Sequence, residues 1–117
     1  MKMLNFETKL ETMTAAYLEC AIFCGDGIEG AEFSADAISS ARKSCAVFLM
    51  RYSNKCAAFS MDQLGHDLFY TRNGHGVGFW SRPEIYGDDL AETYTEYSEK
   101  IGEKDLYIGD DGKLYFS

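Results

Sequence analysis

Apolar residues recur at helical spacing over the first part of the chain. Phe6, Leu10, Met13, Tyr17, Cys20, Ala21 and Cys24 fall on one face of a 3.6-residue repeat. With Asn5 as cap, this spacing predicts a helix to about Cys24, ended by Gly25. The "GDGIEG" run from Gly25 to Gly30 reads as a turn-rich loop. Ser34 is placed to cap a second helix, with Phe33 packing on Ile38 as a hydrophobic staple. The inner stripe of that helix, Ile38, Ala41, Cys45, Phe48, Leu49 and Tyr52, leaves Arg42 and Lys43 outside and points to an end near Tyr52.

The periodicity then changes. Ser60 is placed to cap a single turn, "MDQL", closed by Gly65. "HDLFYTR" (His66 to Arg72) is rich in strand formers, and Asn73-Gly74 suits a two-residue type I′ turn in which both residues take φ > 0. "HGVGFW" (His75 to Trp80) completes a predicted hairpin. Pro83 and Gly87 break the chain before a third helix, Asp88 to Ile101, with an inner stripe of Leu90, Tyr94, Tyr97 and Ile101. "DLYIG", a turn at Asp110-Asp111-Gly112, and "KLYFS" predict a second hairpin. The expected fold class is therefore α+β: a single domain over residues 1–117, order ααββαββ, with helices packed on an antiparallel sheet of two hairpins.

The predicted first hairpin constrains its own chemistry. Its register pairs Arg72 with His75 and places Asp67 on the opposite face from His75. His66 and His75 would share a face but stand about 20 Å apart, too far to chelate one metal. Arg72 and His75, with β-carbons on the order of 5 Å apart, remain neighbours. Together with Asn73 they form a candidate anion-binding tip, built from a forked guanidinium, an imidazole and exposed amides. Catalysis by His75 as general base would need a second group such as Asp67 of a neighbouring subunit or Glu84, so no catalytic residue is assigned. Gly76 and Gly78 leave a trough beside Phe69 and Thr71 that close packing can fill. "GDDGK" (Gly109 to Lys113) lacks the ligand spacing of a calcium loop and reads as a turn.

Composition narrows the field. The net charge is −8 and the hydrophobic share 46%, so the chain is expected to fold and to repel phosphate backbones; direct nucleic-acid binding is not expected. No apolar run is long enough to span a membrane, and "MKMLNFETKLETM" lacks the apolar core of a signal peptide, which predicts a cytoplasmic protein. The irregular spacing of Cys20, Cys24, Cys45 and Cys56 reads as small buried hydrophobes, against a four-thiolate zinc site or a disulfide; no metal or cofactor is assigned.

"GHDLFYTRNGHGVGFWSR" (Gly65 to Arg82) followed by "YIGDDGKLY" (Tyr107 to Tyr115) resembles a set of small uncharacterised proteins of tailed bacteriophages. Their shared pattern is close to "GHDFWLTRNGHGAGFWDR" with a terminal "YVGDDGKIY". The first half of the chain resembles them only in "AAYLECAIF" (Ala15 to Phe23), and Ser81 stands where an acidic residue is usual. The resemblance implies a phage origin, a host cytoplasm and an accessory role in infection.

Two functions follow as expectations. In the first, the protein binds and modulates a host or phage protein with a basic surface, for instance in host takeover or anti-defence. Asp89, Glu92, Glu96, Glu99 and Glu103 supply the interaction face, repeating every 5 to 6 Å or so along the helix axis, comparable to phosphates along a strand. In the second, a small anion- or nucleotide-binding protein or enzyme uses Arg72, Asn73 and His75. Neither reading sets an oligomeric state.

Overall fold

A computed structural model describes residues 6–28 and 30–117. The fold it shows is mostly helical, which corrects the α+β expectation. Five helices, α1 (Phe6–Cys24), α2 (Ala35–Cys56), α3 (Met61–Arg72), α4 (Pro83–Tyr86) and α5 (Asp88–Ile101), precede one hairpin, β1 (Leu106–Ile108) and β2 (Leu114–Phe116). The order ααββαββ with two hairpins does not occur.

The error lies between Ser60 and Trp80. Ser60 does cap a helix, its hydroxyl accepting from Gln63 N at 3.2 Å, but the helix runs through Gly65 to Arg72. Met61, Leu64, Gly65, Leu68 and Arg72 are all buried and recur at helical spacing. A glycine and an arginine stand in that stripe, which breaks its apolar signal, while Phe69, Tyr70 and Thr71 raise the strand signal. Tertiary packing overrides that preference. Gly65 lets α3 approach α1 closely: a Cβ there would strike the Met13 carbonyl oxygen and lie 3.0 Å from Ala16 Cβ and Tyr17 N.

Asn73-Gly74 ends α3. Asn73 has φ −101° and Gly74 φ 71°, whereas a type I′ turn needs both positive. Gly74 N donates to Thr71 O at 3.2 Å and His75 N to Tyr70 O at 3.0 Å, the paired bonds of a Schellman C-cap. "HGVGFW" is no strand; the chain closes into a 3₁₀ turn at Phe79–Ser81. Phe79 N donates to Thr71 Oγ1 at 3.0 Å, and a Cβ at Gly78 would collide with that hydroxyl. At Gly78 the expected trough is a close contact, whereas a Cβ at Gly76 would meet nothing within 4 Å.

Elsewhere the sequence reading fares better. α1 and α5 have the predicted bounds at Cys24 and at Asp88 and Ile101; Asn5 lies outside the described residues. Ser34 caps α2, accepting from Ala37 N at 3.0 Å. The staple is not formed as expected, because Phe33 stacks on Phe116 (centroids 6.4 Å apart) and Ile38 is 44% exposed. α2 continues past Tyr52, which has non-helical φ −119° and ψ 23°, to Cys56. The C-terminal hairpin pairs Leu106 with Phe116, Tyr107 with Tyr115 and Ile108 with Leu114. At its tip Asp111 accepts from Lys113 N at 3.0 Å and from Tyr115 OH at 2.7 Å.

The core joins the inner faces of α1, α2, α3 and α5. Met13, Tyr17, Phe48, Leu64, Leu68, Phe79 and Tyr94 are all 1% exposed or less. Phe48 stacks on Phe79 at 5.6 Å and meets Tyr94 in a tilted contact at 5.0 Å, which holds α2 to the 3₁₀ turn and directly to α5. Among the described residues no helix is long and apolar enough to cross a membrane.

Candidate functional site

With the first hairpin gone, the residues of its tip part company. Arg72 is 5% exposed and turns inward. Its Nε donates to Gly102 O at 2.8 Å and its Nη1 to Ser44 Oγ at 3.0 Å. Asn73 is buried as well: its Nδ2 donates to Phe69 O at 3.1 Å and its Oδ1 accepts from Lys104 N at 2.8 Å, which ties the end of α3 to the chain leaving α5. His75 remains partly exposed, its ring 5.7 Å from Phe69 and 5.8 Å from Tyr70. It shares a cleft of about 220 Å³ with Cys24, Asp26 and Asp105, on which Arg72 does not border. The three residues do not converge on one ligand.

Asp67, read as a hairpin residue, is the centre of a buried polar network. It is 0% exposed. Arg82 Nε donates to both its oxygens at 2.8 and 3.1 Å, Tyr86 OH donates at 2.7 Å and Gln63 Nε2 at 3.0 Å. This network joins α3 to α4 and to the residue before it. The carboxylate in turn holds the Arg82 guanidinium more firmly charged, and burial followed by the bond to Asp67 pushes the Tyr86 phenol up. Residues 15 and 19 positions apart supply it; no local pattern signals such a cluster. Glu84 is exposed and takes no part in these bonds. His66 faces outward, 3.7 Å from Glu19.

The acidic residues of α5 stand where their spacing placed them. Asp89, Glu92, Glu96 and Glu99 are exposed on the helix, and Glu103 is exposed just beyond it. The opposite face buries Ala91, Tyr94 and Ser98, with Leu90, Tyr97 and Ile101 half-buried. Sequence reading missed the neighbour of this face. Trp80, 51% exposed, borders a cleft of about 280 Å³ with Pro83, Asp88, Glu92, Thr95 and Glu96. Thr95 also lines this cleft, and its buried hydroxyl has no hydrogen-bond partner among the described residues. An indole face beside three carboxylates is suited to a guanidinium or ammonium group, which gains a cation–π contact and an ion pair at once.

Cys20, Cys45 and Cys56 are buried and Cys24 is half-buried, all as free thiols. Burial pushes Cys20 and Cys45 up to about 12 and raises Cys24 and Cys56. A raised folded-state value favours the protonated thiol, so the associated stability is complete below the unfolded value and is lost as pH rises through the folded one. The melting temperature is expected to hold steady through neutral pH and to fall from about pH 8.5 upward, where unfolded thiols ionise first. Native protein treated with a thiol reagent at neutral pH should label Cys24 first and the other three only on unfolding. Rapid labelling of all four would contradict this burial.

No protein family, curated protein or solved structure matches the chain.

Proposed function

We propose that the chain is a small acidic accessory protein of phage origin that acts in the host cytoplasm by binding, without catalysis, a host or phage protein with a basic surface. The observation that carries this reading is the union of Glu92 and Glu96 with exposed Trp80 around one cleft on the outer side of α5. Carboxylates alone are compatible with a solvated helix. A half-exposed indole next to them adds apolar area that a solvated helix has no use for, and aromatic residues anchor protein interfaces. Val77 and Ile85, 39% and 40% exposed, are further apolar side chains available in this part of the chain. The face fits a groove lined with arginine or lysine, such as one that otherwise takes nucleic acid.

The test uses tagged protein recovered from infected cells, followed by association kinetics with whatever protein it retains. Glu92→Lys/Glu96→Lys should slow association and flatten its salt dependence, because exposed charges act over about 10 Å at 0.1 M salt. Trp80→Ala should speed dissociation, and both variants should melt like the parent. Unchanged rates in both would remove this face from the interaction.

A further inference from the structure

Among the described residues the ion pairs are Arg42 with Glu7, His66 with Glu19 and Arg82 with Asp67. Arg72 belongs to none, although it is 5% exposed. Besides its bonds to Gly102 O and Ser44 Oγ, Nη1 donates to Tyr17 OH at 3.4 Å and Nη2 to Ile101 O at 3.5 Å. All four acceptors are neutral, and one of the five guanidinium N–H groups is left over. A buried permanent cation with only neutral partners is costly unless an anion meets it.

Arg72 borders a cleft of about 190 Å³ between α2, α5 and the chain after α5. Lys43 and Lys104 stand on the same cleft, as do the side chains of Ser40, Ser44 and Tyr97. Lys104 Nζ is 3.5 Å from Ser40 Oγ. Among the described residues no carboxylate lines it, in a chain of net charge −8. The nearby acid, Glu103, instead lies toward Gly74, its Oε2 3.9 Å from where a Cβ there would stand. The C-terminal carbonyls of α5 offset roughly half a charge. Against three cations that leaves room for a doubly charged ligand. Val47 and Ile101 add an apolar wall.

We propose that this cleft binds a phosphate group, with Arg72, Lys43 and Lys104 as its charged partners and the Ser40 and Ser44 hydroxyls as further donors. A phosphate dianion matches the charge, and its three or four acceptor oxygens match convergent donors from separate elements. The group comes either from the free ion or from a small organic monoester whose carbon portion rests on Val47 and Ile101. This site is separate from the α5 outer face, and its failure or success leaves the protein-binding reading untouched.

Calorimetric titration of the full chain with inorganic phosphate and with ribose 5-phosphate, at constant ionic strength set by chloride, tests the site. Saturable binding of at least one at millimolar concentration or below is expected. Tighter binding of ribose 5-phosphate assigns the organic source, and equal affinity assigns the free ion. Arg72 also caps α5, so its replacement risks the fold. The informative variant is Lys43→Gln/Lys104→Gln, expected to weaken binding about tenfold or more with the parent's melting temperature in phosphate-free buffer. Absence of saturable heat with both probes, or undiminished affinity in the double variant, would overturn the proposal.

Discussion

Replacing Asp67 with alanine is expected to destabilise the fold by about 3–5 kcal/mol, the range for removing one partner of a buried ion pair. Three donors end on this carboxylate, the single Arg82 Nε–H reaching both oxygens. Its loss leaves the Tyr86 hydroxyl and the Gln63 amide without that acceptor and the partly exposed Arg82 guanidinium without its counterion. Against a total stability of about 5–15 kcal/mol, that removes a large share of the margin. Arg82→Ala leaves a carboxylate at 0% exposure with no cation and should cost a comparable amount. The diagnostic variant is Asp67→Ala/Arg82→Ala. It removes both charges, and its loss should be well below the sum of the single losses, because each single variant leaves the other charge without its partner. Urea unfolding of the four proteins measures this. Additive losses would mean that the two side chains act separately.

Gly65→Val should be the most damaging single change between α1 and α3, costing on the order of 3 kcal/mol or more. The new side chain would meet backbone, at the Met13 carbonyl and at Tyr17 N, and backbone cannot rotate away. The helices would have to separate across Met13, Tyr17, Leu64 and Leu68, which are fully packed. Gly65→Ala sharpens the comparison. In an open helix it would gain roughly 1 kcal/mol from helix propensity, but the clash begins at the Cβ itself, so the net effect should still be a loss. Thermal melting of both variants decides the matter, and a stabilised Gly65→Ala would show that the helices are not in such close contact.

The acidic face of α5 was legible because solvated residues carry their own pattern. Asp89, Glu92, Glu96 and Glu99 need only a helix beneath them. Its buried side is Ala91, Tyr94 and Ser98, not the expected stripe of Leu90, Tyr94, Tyr97 and Ile101, of which Tyr94 alone is buried. Trp80 is not legible as its neighbour, because the local pattern places it on a strand. Arg72 was recognised as a cation with chemistry to offer, but its surroundings were misjudged. Its partners Ser44, Tyr17 and Gly102 come from α2, α1 and the end of α5, and no local rule brings those segments together.

What the sequence determined by itself is therefore local: the caps at Ser34 and Ser60, the bounds of α5 and the C-terminal end of α1, the turn at Asp110-Asp111-Gly112, and the need for φ > 0 at Gly74. Each depends on atoms a few residues apart. What only the tertiary structure decided is the conformation on either side of Asn73-Gly74. Glycine at φ > 0 serves a hairpin turn and a helix C-cap equally, and the choice rests on whether His66 to Arg72 is helical. That in turn rests on burial against α1, where Gly65 permits contact, Leu64 and Leu68 fill the core, and Asp67 and Arg72 find their polar partners. A buried polar side chain looks exposed in sequence until the groups that satisfy it are known, and here those groups lie on other helices.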